Sequence, residues 1–430
     1  MVRVKLYYRL NLARDKDILK GCTEKFDGVV IDAHVYETFK NSLSAFIASL
    51  PSSHTFMIDP ITYKFSIPEI TLEYSEKPWF GKLLDYYKIP ITEDEPYLNP
   101  VKISKNDFIE IVSNVVKYQK NVVPVNIKNA LGLARFFKLQ IEEKTVEPEY
   151  IIPPYLIIED SELASYRDFL KFNVEAIKYS KRILKDSPCK ILGVIPIGEM
   201  SFLDFNVLSE VIEKYSNTPA DAYAVWVSGL NEVTKNPLLR VFTLFLFELK
   251  NKVKKDIINL YGGYFSLILG SRGLLNGVVH GVGYAEYRDP YGASGIAGLL
   301  YYNPLTHTFD TIERIKIIYA SDPSTKCSCP VCQRYPLETF ESIKNNVSDL
   351  LSHFVNVRFD EKTKLERMST DEIIATLKKD SEKIERIFKM EELKISLRLL
   401  KSLSKLRYQH LNSWRYTLEA VRELIKSLSN

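Results

Sequence analysis

No apolar run in this chain approaches the roughly 20 residues needed to cross a bilayer. The opening Met1-Val2-Arg3-Val4-Lys5-Leu6-Tyr7-Tyr8 has neither the apolar core nor the small-residue cleavage site of a secretory signal. Together these absences predict a cytoplasmic protein with no membrane contact. Glycine-rich phosphate loops are missing as well. Ile197-Gly198-Glu199-Met200 has a single glycine, and neither a Walker motif nor G-x-G-x-x-G occurs, so nucleoside-triphosphate and dinucleotide chemistry find no support. Charge of one sign is scarce: the net is +4 over 430 residues. That small excess is localised, because residues 361–430 carry 16 Lys and Arg against 11 Asp and Glu. A solvated helical surface accounts for this; a phosphate-facing surface is the sharper alternative.

What the chain does have is 46% hydrophobic residues, with 26 Tyr and 22 Phe, enough for a sizeable core. Only five cysteines are present. Cys22 and Cys189 stand alone and read as small buried residues. The others form Cys327-Ser328-Cys329-Pro330-Val331-Cys332, a C-x-C-x2-C cluster. Three thiols so close in a chain of this kind suit a metal better than a disulfide, because turn residues can aim them at one point. Zinc takes four N or S ligands, so a fourth residue comes from elsewhere.

Strand-like runs cover Val2–Tyr8, Gly28–Ile31, Thr55–Ile58, Tyr150–Ile158, Lys190–Ile197, Ala222–Val227, Tyr264–Leu269 and Gly277–Tyr284. Helical patterns at Glu162–Leu184, Leu203–Lys214 and Pro237–Ile258 lie between several of them. Eight such units over residues 1–325 predict an α/β fold, a (β/α)8 TIM barrel, with a doubly wound sheet as competitor. Residues 71–131 break the rhythm and read as an insertion carrying one helix, Asn106–Tyr118. From 326 to 430 the pattern predicts a zinc-binding helical subdomain with a long helical insertion. Its helices are expected over Leu337–Val355, Thr370–Met390, Glu391–Leu406 and Asn412–Leu428, with a linker near Phe359–Arg367.

In a barrel enzyme, carboxylates just past strand ends are the natural catalysts. Asp59 ends Thr55-Phe56-Met57-Ile58; Glu286 and Asp289 follow the last strand-like run. Any one of them alone reads equally as a helix cap or ion-pair partner. Two carboxylates from distant strands can supply a nucleophile and a general acid or base.

These features resemble the tRNA-guanine transglycosylase superfamily across most of the chain, at low identity. The resemblance implies a (β/α)8 barrel followed by a structural Zn2+ site built as C-x-C-x2-C and a histidine. Cys327, Cys329 and Cys332 match that cluster in spacing and position. Tyr408-Gln409-His410-Leu411-Asn412 is similar to the family's histidine segment, which makes His410 the fourth ligand and the nearer His353 the alternative. Phe56-Met57-Ile58-Asp59 resembles the strand ending in the catalytic Asp, although Pro60-Ile61-Thr62 replaces the family's Ser-Gly-Gly. Ser228-Gly229-Leu230 looks like the base-contacting strand end, and Gly262–Glu286 aligns with the segment ending in the nucleophile. Tyr155, beside Pro153-Pro154, offers a ring for stacking on a base or a place in the core.

The resemblance thus implies base exchange: a carboxylate, Glu286 (Asp289 if the register slips), attacks C1′ of a guanosine while Asp59 manages protons. The two roles are interchangeable on sequence alone. A 7-deazaguanine such as preQ0 then displaces the covalent link. Tyr287-Arg288-Asp289-Pro290-Tyr291 departs from the Pro-Thr-Arg-like segment that reads tRNA. The chain therefore looks most like the DNA 7-deazaguanine transglycosylases (the DpdA type), with DNA as partner and tRNA as the alternative. A non-catalytic nucleic-acid-binding paralogue and a metal-dependent barrel hydrolase remain as other classes. Family members often form homodimers through the zinc region.

Overall fold

The computed structural model describes residues 3–92, 94–136, 147–234, 236–283, 286–290, 299–392 and 409–429. Eight parallel strands close into a barrel in sequence order: β1 (Lys5–Leu10), β2 (Gly28–Asp32), β3 (Thr55–Asp59), β4 (Tyr150–Ile151), β5 (Lys190–Ile197), β6 (Ala222–Val227), β7 (Asp256–Asn259) and β8 (Gly277–Gly281). Closure is made by β1 against β8, with Tyr8 opposite His280 and Arg9 opposite Gly281. This is the (β/α)8 barrel, and the doubly wound alternative falls. The strands are almost wholly buried, as Val- and Ile-rich parallel strands with helices on the outside must be.

Alternation along β1 sends its residues to two layers. Tyr8 faces outward, its ring 6.2 Å from Phe354. Arg9 faces the barrel interior, where it meets Asp32 and Asp59. The register that pairs Asp32 with Asp59 places both carboxylates at the C-terminal rim on one level.

Several expected elements differ: the last barrel strand ends at Gly281 rather than Tyr284, and the helix expected over Leu337–Val355 is a 3-10 stretch, Leu337–Asn345, followed by a separate helix from Val347. The run Tyr264–Leu269 is not a strand but part of a helix, Tyr264–Ser271. The Glu232 carboxylate accepts from the Phe265 and Ser266 amides (2.9 and 3.2 Å) and so caps it from outside its own sequence. The strand of this unit is β7, and the preceding helix, Asn236–Val253, ends before it. The fourth strand is only Tyr150–Ile151, because Pro153 and Pro154 have no amide to give a ladder. Gln119 substitutes for a strand neighbour there, bonding the Ile152 amide and carbonyl through its side chain (2.9 and 2.7 Å).

The insertion between β3 and β4 is more helical than expected. It contains Pro68–Tyr74, Pro78–Tyr87, Lys105–Lys117 and Val123–Phe136. After β8, a hairpin of β9 (Leu300–Asn303) and β10 (Thr308–Thr311) leads to the cysteine turn. The expected linker at Phe359–Arg367 lies mostly within a helix, Val347–Leu365, whose Phe354, Val355 and Arg358 are fully buried. Helices Thr370–Glu392 and Gln409–Ser429 follow. The helix expected over Glu391–Leu406 falls, beyond its first two residues, outside the described residues. Among the described residues no helix is long and apolar enough to cross a membrane.

Candidate metal centre and barrel-mouth site

The cysteine turn is closed by its own sulfurs. The Cys329 amide donates to Cys327 Sγ and the Cys332 amide to Cys329 Sγ, each at 3.4 Å. His353, 21 positions after Cys332, brings Nδ1 to 3.3 Å from both Cys329 Sγ and Cys332 Sγ. The ligand atoms of Cys327, Cys329, Cys332 and His353 all lie within 4.8 Å of one another. That is the span of a tetrahedral Cys3His site, in which metal–sulfur bonds are about 2.3 Å. His353 Nε2 donates to the Tyr302 carbonyl at 2.7 Å, which leaves Nδ1 for the metal. Tyr301 adds its hydroxyl at 3.1 Å from Cys332 Sγ and stacks on the imidazole at 4.2 Å. These four residues could hold a metal ion, and their donor set is consistent with zinc.

His410 is not the fourth ligand. It opens the last helix, bonds the Thr306 carbonyl through Nε2 (2.8 Å) and packs edge-on against Trp414. Burial pushes its imidazole down to about 4. The histidine that completes the set is decided by which helix passes the cysteine turn, and that is Val347–Leu365.

A second buried polar group lies at the barrel mouth. One nitrogen of Arg9, Nη1, bridges Asp32 and Asp59; the contact to Asp59 is 2.9 Å. All three side chains are at most 1% exposed. Arg288, from the segment after β8, reaches the other oxygen of Asp32 (2.8 Å) and the Tyr261 hydroxyl (2.6 Å). Burial would raise the Asp32 carboxyl, but Arg9 and then Arg288 outweigh it and hold it well below the usual carboxylate range. Asp59 accepts two more bonds, from the Ile61 amide (2.9 Å) and the Tyr155 hydroxyl (2.7 Å). Lys64 completes the group; burial brings its ammonium down to about 7, and it lies over the Tyr74 and Trp79 rings. Among the described residues, Arg9 Nε and Nη2 have no hydrogen-bond partner although they are buried, with the Tyr261 ring 4.4 Å from the guanidinium.

The residues expected at the site are distributed unevenly. Asp59 and Tyr155 come together in this network, Tyr155 being buried and stacked with Tyr63. Ser228, Gly229 and Leu230 form the turn after β6, with Gly229 at φ 68°, a conformation that glycine adopts without strain. The Gly229 amide, expected to face a base, donates to the Arg288 carbonyl (2.9 Å), which also accepts from Trp226 Nε1 (3.2 Å). Asp289 is exposed.

Glu286 is elsewhere. Its carboxylate pairs with Arg358 of the Val347–Leu365 helix, beside Glu232 and Gly263. A side chain at Gly263 would meet Glu232 and Glu286 at 2.9 and 3.1 Å, so the glycine makes room for both carboxylates. Burial raises the Glu286 carboxyl to about 7 against the pull of Arg358. No hydrogen bond or ion pair joins Glu286 to Asp59 among the described residues; each answers to its own arginine.

Sequence reasoning missed Arg9, Asp32, Lys64, Tyr261 and the role of Arg288. Two signals were available. Arg9 interrupts the apolar run Leu6-Tyr7-Tyr8-Arg9-Leu10, and a charge there is buried or the strand is not a strand. Asp32 closes Val29-Val30-Ile31 just as Asp59 closes Phe56-Met57-Ile58.

No protein-family model matches the chain, and no curated protein matches it either.

Proposed function

We propose that the protein exchanges guanine in DNA for a 7-deazaguanine base, with the chemistry at the barrel mouth and zinc as a structural support. The observation that carries this reading is the pairing of a Cys3His group just behind a (β/α)8 barrel with buried carboxylates at its C-terminal rim. The histidine grouped with the cysteines is His353, the nearer of the two candidates. A carboxylate oxygen attacks C1′, the bond from C1′ to the base nitrogen breaks, and guanine leaves with the electron pair and gains a proton. The incoming base then attacks C1′, loses its ring-nitrogen proton and frees the carboxylate. Asp59 and Asp32 are the carboxylates at the mouth, and the Tyr155 hydroxyl on Asp59 is positioned to hold a proton there. The target nucleotide must leave its stack to enter, at a cost of a few kcal/mol. The positive excess of residues 361–430 favours a polyanionic partner.

The separation of Glu286 from Asp59 favours a second reading, a nucleic-acid-binding protein without chemistry. One experiment separates the two. Protein is incubated with preQ0 and duplex DNA or, separately, unmodified tRNA, and the digested nucleosides are examined by mass spectrometry. A deazaguanine deoxynucleoside from DNA, lost in Asp59→Asn, is expected. A ribonucleoside from tRNA alone would move the substrate to tRNA. No product and no covalent adduct, with DNA still bound, would leave the binding protein.

A further inference from the structure

The metal group and the barrel mouth are linked by polar contacts running from His353 to Glu286 and by the short backbone segment from Glu286 to Arg288. His353 and Arg358 lie five residues apart on one helix, about 7.5 Å along its axis. The helix is rigid over that distance, so whatever fixes His353 fixes Arg358. The Arg358 guanidinium is fully buried and uses both of its terminal nitrogens: Nη2 on Glu286 and Nη1 on Glu361 (3.0 Å). Its faces are covered by Tyr302 and Phe354, with centroids 4.5 and 5.2 Å away. Glu361 is anchored in turn by the Tyr302 hydroxyl (3.0 Å) and His307 Nδ1 (2.6 Å). Tyr302 also supplies the carbonyl that orients His353. The position of Arg358 is therefore over-determined from the metal side.

On the other side, Glu286 begins the short described segment 286–290 that carries Arg288 into the mouth. Arg288 holds Asp32 and Tyr261 with its side chain, and Gly229 and Trp226 with its carbonyl. An anchor at Glu286, two residues upstream, limits how far Arg288 can retreat.

We propose that Arg358 is a positioning residue that carries metal occupancy at Cys327, Cys329, Cys332 and His353 to the barrel mouth, by anchoring Glu286 and through it the segment bearing Arg288. The proposal rests on the base-exchange reading only in naming the mouth as the reacting site. The placement of Arg288 itself is measured without any reaction.

Trp226 is the natural reporter, since its indole N–H bonds the Arg288 carbonyl. Full-length zinc-loaded protein labelled with 15N-tryptophan shows one indole signal for each of its three tryptophans, and Trp226→Phe assigns the one in question. Arg358→Met, with zinc content unchanged, is expected to shift the Trp226 signal, and Arg358→Lys to shift it less. Chelating zinc from the wild-type protein is expected to shift it in the same sense, and from Arg358→Met to add little. A Trp226 signal unmoved in loaded Arg358→Met overturns the proposal, as does an equal response to chelation with and without Arg358. Should the chelated protein unfold, the comparison of loaded Arg358→Met with Arg358→Lys decides alone. A Trp226 response without any base-exchange product would sustain the coupling while refuting the proposed reaction.

Discussion

Replacing Arg9 by Met tests whether the mouth is held by one shared cation. The guanidinium is 1% exposed and serves two carboxylates that are 1% and 0% exposed. Removing one partner of a buried ion pair costs about 3–5 kcal/mol, because the remaining charge has left water without compensation. Asp32 keeps Arg288, so the loss falls chiefly on Asp59, which retains only the Ile61 amide and the Tyr155 hydroxyl. Urea unfolding of Arg9→Met at pH 7 is expected to show a deficit of about 3–5 kcal/mol. The sign of its pH dependence follows from the same account. In the wild type Arg9, with Arg288, holds the Asp32 carboxyl below its usual range against burial. The stability it lends is present above the ordinary carboxyl value and is lost as the pH falls, whereas Arg9→Met lacks the Arg9 share throughout. The deficit therefore shrinks as the pH falls below the ordinary carboxyl value. Adding Asp59→Asn to Arg9→Met should recover part of it, making the double variant more stable than the sum of the singles. A deficit below about 1 kcal/mol, typical of an exposed pair, would refute the reasoning. So would a deficit that grows as the pH falls.

Three further outcomes are expected. His353→Ala should lose bound zinc as fully as Cys329→Ser does, whereas His410→Ala should retain it; metal content of purified protein distinguishes them. Tyr155→Phe deletes one hydrogen bond to the Asp59 carboxylate and should destabilise the fold by about 1.5–3 kcal/mol, measured by the same unfolding experiment. Glu286 has a carboxyl raised to about 7 by burial, so the folded state binds its proton more tightly than the unfolded state. Its contribution is complete below the ordinary carboxyl value and is lost as pH rises toward 7, by at most about 3 kcal/mol. Glu286→Gln should flatten that part of the stability profile; an unchanged slope between pH 5 and 7 would count against the assignment.

Much of this protein was legible as local chemistry. The eight apolar runs separated by helical stretches called for a closed parallel barrel, because strands buried on both faces need helices outside. The seventh strand was misplaced, the fourth and eighth were drawn too long, and the first ends two residues later than expected. The C-x-C-x2-C spacing brings three thiols of a possible metal site together, since one turn can aim three neighbouring sulfurs with no help from distant residues. Asp59 was findable because it closes a buried strand at the barrel face where carboxylates gather, although taken alone it read equally as a cap or an ion-pair partner.

The tertiary structure decided what depends on distant partners. Tyr264–Ser271 is a helix because Glu232 caps it across more than thirty residues, a contact that periodicity does not encode. The histidine that joins the three cysteines is His353 because the Val347–Leu365 helix passes the cysteine turn, while His410 is turned toward Thr306. Asp32 and Asp59 become one site through Arg9, and Glu286 is drawn to Arg358 instead. A buried charge goes to whichever opposite charge the packed chain brings within reach, and only the closed barrel with its helices in place settles which that is.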